Sequence, residues 1–256
     1  MSSSLLRLGQ ALHGNLGRYV AVKELQDTTC KHLDDHLLNA SIKQSLNRKE
    51  IKYVSGCILK ALSVLHDNGY VHADVKLDNI FVNYKVGSSH ENRFADIKRS
   101  RVDSALAREG TPVGAPIWSS PEVIMQTPWN TATDIWSLGA VLICLIYGGD
   151  FNIFRPATVS HDHEEYGLEV LKQQFRYFGP FPAKYQEIAG PMTVTAILYL
   201  MQEIPRSKTT PFHLITEREV SKPDKEFISK IMEMDWRDRP TVKQLLKDKW
   251  FDDSDI

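Results

Sequence analysis

From Asp134 to Tyr147 the chain reads D-I-W-S-L-G-A-V-L-I-C-L-I-Y, a stretch apolar on nearly every face of a helix. A helix without a polar stripe has no side to turn toward water, so other elements must enclose it. Its unbroken apolar part, Leu138–Tyr147, is about half the length that a membrane span requires. The stretch therefore reads as the axis of a globular body. At 256 residues the chain can surround it within one domain or two modest lobes.

Around that axis the patterning is mostly helical. Residues 1–30 are punctuated by glycine and strand-like around Tyr19–Val20–Ala21–Val22. Arg7, Arg18 and Lys23 precede the first acid, Glu24, as in a transit peptide, but Gly9, Gly14 and Gly17 break the amphipathic helix such a peptide needs. Asp35–Ala40 looks helical. Ile51, Val54, Ile58, Leu62 and Leu65 recur at spacings of three and four, which predicts a helix that Asn68–Gly69 ends. Phe81–Tyr84 and Arg93–Ile97 read as two short strands, and residues 99–121 as irregular, with Gly110, Pro112, Gly114, Pro116 and Pro121. A helix through Leu168, Leu171 and Phe175 should stop at Gly179–Pro180–Phe181–Pro182. Further helices are expected at Met192–Glu203, Lys222–Met234 and Thr241–Lys247.

The most informative polar stretch is Tyr70–Val82, Y-V-H-A-D-V-K-L-D-N-I-F-V. Asp74, Lys76 and Asn79 follow one another at fixed spacing, with apolar residues on both sides to anchor the loop. A carboxylate that accepts a hydroxyl proton, an ammonium that holds a transferred phosphoryl group and an amide that ligates a metal are what phosphoryl transfer needs.

This loop resembles the catalytic loop of protein kinases, H-R-D-x-x-x-x-N, with His72, Asp74 and Asn79 in place and Ala73 where arginine is usual. Gly114–Ala115–Pro116–Ile117–Trp118–Ser119–Ser120–Pro121–Glu122 looks like the family's G-T-x-x-Y-x-A-P-E segment. In the family its glutamate forms a buried ion pair, which implies Arg239 of D-W-R-D-R-P as the partner of Glu122, under the apolar cover of Trp118, Pro121 and Trp236. Asp134, opening T-D-I-W-S-L-G, resembles the aspartate that holds catalytic-loop amides; an ordinary helix-start aspartate is compatible with this. These signals cover about residues 50–256. Within the family, V-H-A-D-V-K-L-D-N and F-G-P-F-P look closest to the branch with cyclin-dependent and serine-arginine-protein kinases.

The resemblance implies an α+β, protein-kinase-like chain with a reduced N-terminal β lobe and a mainly helical C-terminal lobe. Residues 1–38 would be the remnant of the small lobe and hinge, and residues 39–256 the large lobe. ATP and magnesium are the implied cofactors. Asp74 would be the base, Lys76 would contact the moving phosphate, and Asn79 would bind magnesium. Lys23, in R-Y-V-A-V-K, resembles the lysine of V-A-I-K that contacts the α- and β-phosphates. Gly9 and Gly14 keep the outer spacing of G-x-G-x-x-G, with Ala11 between them; a plain turn explains that pattern equally well.

Several features depart from the family. Only about a dozen residues separate Lys23 from Asp35, too few for the family's regulatory helix and two further strands. Asp96, in A-D-I-K, is either the metal-binding aspartate of a D-F-G whose glycine has become Lys98, or an ordinary strand-edge residue. Ala115 stands where many Ser/Thr kinases place a threonine, and Ala73 removes the arginine that reads a phosphorylated activation loop. Three readings follow: a weakened Ser/Thr kinase, a pseudokinase that acts as a protein-binding scaffold, or a shortened version of a longer, fully equipped kinase.

Composition narrows the partners. A net charge of -1 gives no basic face for nucleic acid, and no stretch is long enough for a membrane. A protein substrate or binding partner remains. Cys30, Cys57 and Cys144 lie far apart without C-x-x-C and read as reduced core residues of an intracellular protein, in cytoplasm or nucleus. His161, His163 and Glu164 could ligate zinc, but their loose spacing in a loop favours a solvated segment. No G-x-S-x-G elbow suggests a hydrolase.

Overall fold

A computed structural model of the chain describes residues 11–14, 17–20, 35–82, 93–94, 100–101 and 105–252. Strands β1 (Ala11–Gly14) and β2 (Gly17–Val20) form an antiparallel hairpin that places Gly14 opposite Gly17. Lys23, Gly9 and Asp96 lie outside the described residues. Strand β3 (Asp35–His36) runs into helix α1 (Leu37–Lys43), where a ring nitrogen of His36 accepts the Asn39 amide at 3.3 Å. Asp35–Ala40 is thus part strand and part helix.

Helix α2 (Arg48–Asp67) has a reciprocal start: Asn47 accepts the Glu50 amide, and Glu50 accepts the Asn47 amide. Its apolar stripe faces inward, with Ile58, Leu59 and Leu62 almost wholly buried. Each such side chain contributes about 1.5–3 kcal/mol by leaving water. Gly69, at φ 74°, takes the left-handed position that ends the helix. The chain then enters β4 (Tyr70–Val71), the polar loop, and β5 (Ile80–Val82). Strand β6 (Arg93–Phe94) pairs with β5, which also pairs with β3, while β7 (Ser100–Arg101) pairs with β4. The two ends of the polar loop are therefore fixed in two different small sheets.

Helix α3 (Ala105–Glu109) interrupts the stretch that reads as irregular. Five residues are too few to show a helical period. Helix α4 (Pro121–Ile124) leads to α5 (Ala132–Tyr147), in which every residue from Thr133 to Leu145 is buried. Gly139 is the point of closest approach on this axis: a Cβ there would lie 2.1 Å from Met232 Sδ and 2.7 Å from Ile231 Cγ2. Burial pushes the Cys144 thiol up to about 12, so it stays protonated and inert at neutral pH.

The remaining helices are α6 (Tyr166–Phe178), α7 (Pro191–Glu203), α8 (Lys222–Ile231) and α9 (Val242–Leu245). The last two are shorter than their patterns suggest. Helix α8 stops at Ile231, with Met232 as its cap. Helix α9 opens on a Thr241–Gln244 capping box and lasts little more than a turn. One large core cluster joins α2, α5, α6 and α8. Among the described residues, no helix is long and apolar enough to cross a membrane.

Candidate active site

The polar loop hangs from Asp134. The Oδ2 atom of this aspartate accepts the His72 amide at 2.8 Å, and Oδ1 accepts the Ala73 amide at 2.8 Å. A third donor comes from the last turn of α2: His66 Nε2 lies 2.9 Å from Oδ2. Asp134 has no exposed surface, so these charge-assisted bonds operate without competition from water. They also hold Ala73 at φ 66°, a conformation that costs a non-glycine residue about 1–3 kcal/mol. His72 is fully buried, and its Nδ1 accepts the Asp74 amide at 3.2 Å.

The loop turns Asp74, Lys76 and Asn79 toward one another. Asn79 Nδ2 donates to the backbone oxygen of Asp74 and to its Oδ2, each at 2.9 Å. Both amide protons are then engaged, and Asn79 Oδ1 is the remaining acceptor. Lys76 Nζ sits 3.6 Å from Asp74 Oδ2, with the lysine side chain about a quarter exposed. Asp74 Oδ1 takes no hydrogen bond among the described residues, although the residue is only 6% exposed. An oxygen held in place but unengaged can accept a proton from an incoming hydroxyl.

The wall beside this oxygen is Gly114, at φ 71°. A Cβ at position 114 would meet Ala73 O at 2.6 Å and lie 3.5 Å from Asp74 Oδ1, so only glycine lets the segment come this close. Ser119 closes the turn by donating to Val113 O at 3.0 Å and Ala115 O at 3.1 Å. Ser119 O in turn accepts from Gln174 Nε2 of α6 at 2.8 Å. The neighbouring residue, Ala115, has no hydroxyl to offer the site.

Farther along, Arg239 Nη1 and Nη2 grip Glu122 Oε1 and Oε2 at 2.7 and 2.8 Å, with both side chains buried. The guanidinium also donates to Glu233 O at 2.8 Å and Ala132 O at 3.1 Å. Its carbon lies 5.0 Å from the centre of the Trp136 ring. Trp136 belongs to the axial helix and differs from the three cover residues that the sequence suggests. The pair joins the end of the 114–122 segment to the body of the large lobe.

Some of these contacts carry no sequence signal. His66 reads as an ordinary last-turn residue of α2, and Gln174 as part of the polar face of α6, yet Gln174 is fully buried. Trp129 donates its indole N–H to Thr111 O at 2.9 Å, across an irregular stretch with no period to predict it. His161, His163 and Glu164 are exposed. Among the described residues, no group of three His, Cys, Asp or Glu side chains is placed to hold a metal ion.

Comparison with known proteins agrees with this geometry. The protein kinase domain family model matches residues 19–251. Serine/threonine-protein kinase PAK 5 of Rattus norvegicus is 36% identical over 104 residues, which is 40% of this chain and 14% of that protein. Serine/threonine-protein kinase sid1 of Schizosaccharomyces pombe is 33% identical over 120 residues, 46% of this chain and 25% of that protein. The human Serine/threonine-protein kinase PAK 4 is 35% identical over 109 residues, 40% of this chain and 17% of that protein. The matched stretches thus span a quarter or less of these relatives. None of the three carries the name of the cyclin-dependent or serine-arginine-protein branch. The family match extends over nearly the whole chain and includes the loop held by Asp134, so the chain belongs to the protein kinase domain family.

Proposed function

We propose that this chain transfers the γ-phosphoryl group of ATP to serine or threonine of a protein substrate, with less catalytic power than a fully equipped kinase. The observation that carries this reading is the constrained Asp74 carboxylate, with one oxygen tied to Asn79 and the other unengaged. Asp74 Oδ1 would orient the substrate hydroxyl and take its proton. Lys76 would meet the phosphoryl group as it moves. Asn79 Oδ1 is a hard oxygen donor of the kind magnesium takes, and the bound ion would offset charge on the phosphate oxygens.

Lys23, Gly9, Gly14 and Asp96 complete the proposal on the nucleotide side. Lys23 would hold the α- and β-phosphates, the two glycines would allow close approach, and Asp96 would be a second metal ligand. The weakening follows from Ala115, which has no hydroxyl beside Asp74, and from Lys98 in place of the D-F-G glycine. Each substitution removes part of the electrostatic stabilisation on which the reaction depends. An intracellular compartment, cytoplasm or nucleus, would supply the nucleotide. The test is radiolabel transfer from ATP to a generic protein substrate. It should occur with the native chain and fall to background in Asp74→Asn, and equal labelling by the two proteins would refute the proposal.

A second reading is favoured by the same Ala115: a pseudokinase that presents its large lobe to partner proteins. It predicts no magnesium-dependent stabilisation by ATP. A ligand at a hundred times its Kd adds about 2.7 kcal/mol, so a thermal-shift titration separates the two readings.

A further inference from the structure

Helix α6 carries one polar side chain on a face that otherwise belongs to the core. Its buried residues are Tyr166, Val170, Leu171, Gln174 and Phe175, spaced as one inward stripe, and Gln174 has no exposed surface. The amide of Gln174 is only half used. Its Nε2 donates to Ser119 O at 2.8 Å, whereas Oε1 has no hydrogen-bond partner among the described residues. Only the NH2 end of an amide can face a carbonyl, so Ser119 fixes this orientation. A buried amide left half satisfied is costlier than an apolar side chain of the same length. What glutamine adds at position 174, and an apolar residue would not, is the hold on that carbonyl.

The hold acts at the end of a short chain of contacts that leads to Asp74. Ser119 Oγ reaches Val113 O at 3.0 Å and Ala115 O at 3.1 Å, the two carbonyls that flank Gly114. From the point where a Gly114 Cβ would lie, Ser119 Oγ is 3.6 Å away and Asp74 Oδ1 3.5 Å. Ala115 brings no polar side-chain atom, so the side-chain bonds that set this turn come from behind, at Ser119. The preceding carbonyl, Trp118 O, is held as well, by Ser137 Oγ of α5 at 2.8 Å, but that hydroxyl also reaches Thr133 O at 3.1 Å and divides one proton between the two. We propose that Gln174 is a positioning residue: through Ser119 it sets how closely Gly114 stands to Asp74 Oδ1, and with that the approach of the substrate hydroxyl rather than of the nucleotide. This role rests on the phosphoryl-transfer reading given above.

Gln174→Met keeps the length and the apolar body of the side chain and removes the donor. With dephosphorylated casein as the probe substrate, KM for casein should rise about fivefold to tenfold, the effect of losing one hydrogen bond, while KM for ATP stays within about twofold of the native value. A general defect of the lobe would move both constants, so equal changes in the two overturn the proposal, as does an unchanged KM for casein. Ser119→Ala cuts the same chain of contacts one step nearer the site. It should give the same split, and it decides the matter if Gln174→Met does not fold. Should the native chain label no casein, the phosphoryl-transfer reading fails by itself, and amide hydrogen exchange then judges the tether. The Trp118 and Ser119 amides, both bonded to Ala115 O, should exchange at least about tenfold faster in Gln174→Met, with amides in the middle of α5 unchanged. Protection equal to that of the native chain overturns the tether.

Discussion

Asp74 and Asp134 are the same residue type in one network, and they are treated in opposite ways. Asp134 is wholly buried and its two oxygens accept three donors, drawn from a helix end and two loop amides. Asp74 is almost as buried, yet Oδ2 is tied to Asn79 while Oδ1 is left open beside Gly114. A carboxylate with donors on both oxygens is scaffold; one held on one side and open on the other can still accept a further donor. Burial alone does not tell the two apart, whereas the count of partners does.

The comparison can be broken most severely at the saturated side. Arg239→Ala would leave Glu122 buried with its charge uncompensated. This should cost about 3–5 kcal/mol, read as a lower urea midpoint at unchanged slope. Asp134→Asn places an amide where a carboxylate now accepts two backbone N–H groups and His66. A loss of about 2–3 kcal/mol is expected, and phosphoryl transfer should fall with it. Asp74→Asn should behave differently: stability within about 1 kcal/mol of the native chain, with transfer reduced to background. A large loss of stability in that variant would erase the distinction between the two aspartates.

A smaller effect concerns Asp235, another wholly buried carboxylate. Burial by itself raises its pKa, but the Arg237 guanidinium and the Arg237 amide outweigh it, and the net shift is downward from 3.8. A depressed folded-state value means that its contribution is full above the ordinary carboxylate range and is lost as pH falls through the folded value. Acid titration of the native chain should therefore show a loss of stability below about pH 4, and Asp235→Asn should flatten that part of the curve.

Legibility in the sequence followed the length of each signal. The axial helix and α2 are long and periodic, so composition and spacing suffice to find them. Loop 72–79 was legible because three polar types stand at fixed intervals between apolar anchors. Contacts that close over long separations were not. His66 reaches Asp134 across 68 positions, and Gln174 reaches Ser119 across 55, with nothing local to announce either bond. Helix α3 was missed because five residues cannot display a period; its buried residue, Ala107, joins Val71, Val123 and Trp129 in a small apolar cluster. The ring under Arg239 had no local signal either: Trp136 of the axial helix lies 5.0 Å from the guanidinium carbon, across more than a hundred positions.

Gly139 sets a spacing on which the segment after α8 depends. Because no side chain intervenes, α8 lies directly against the axis, and the arm from Met232 to Arg239 extends from that contact toward Glu122. A methyl group at position 139 would act as a shim, lifting the base of the arm and changing its reach at the far end. The smallest possible side chain, far from any reacting atom, thus bears on a charged clasp that closes against the same helix, over Trp136 and Ala132.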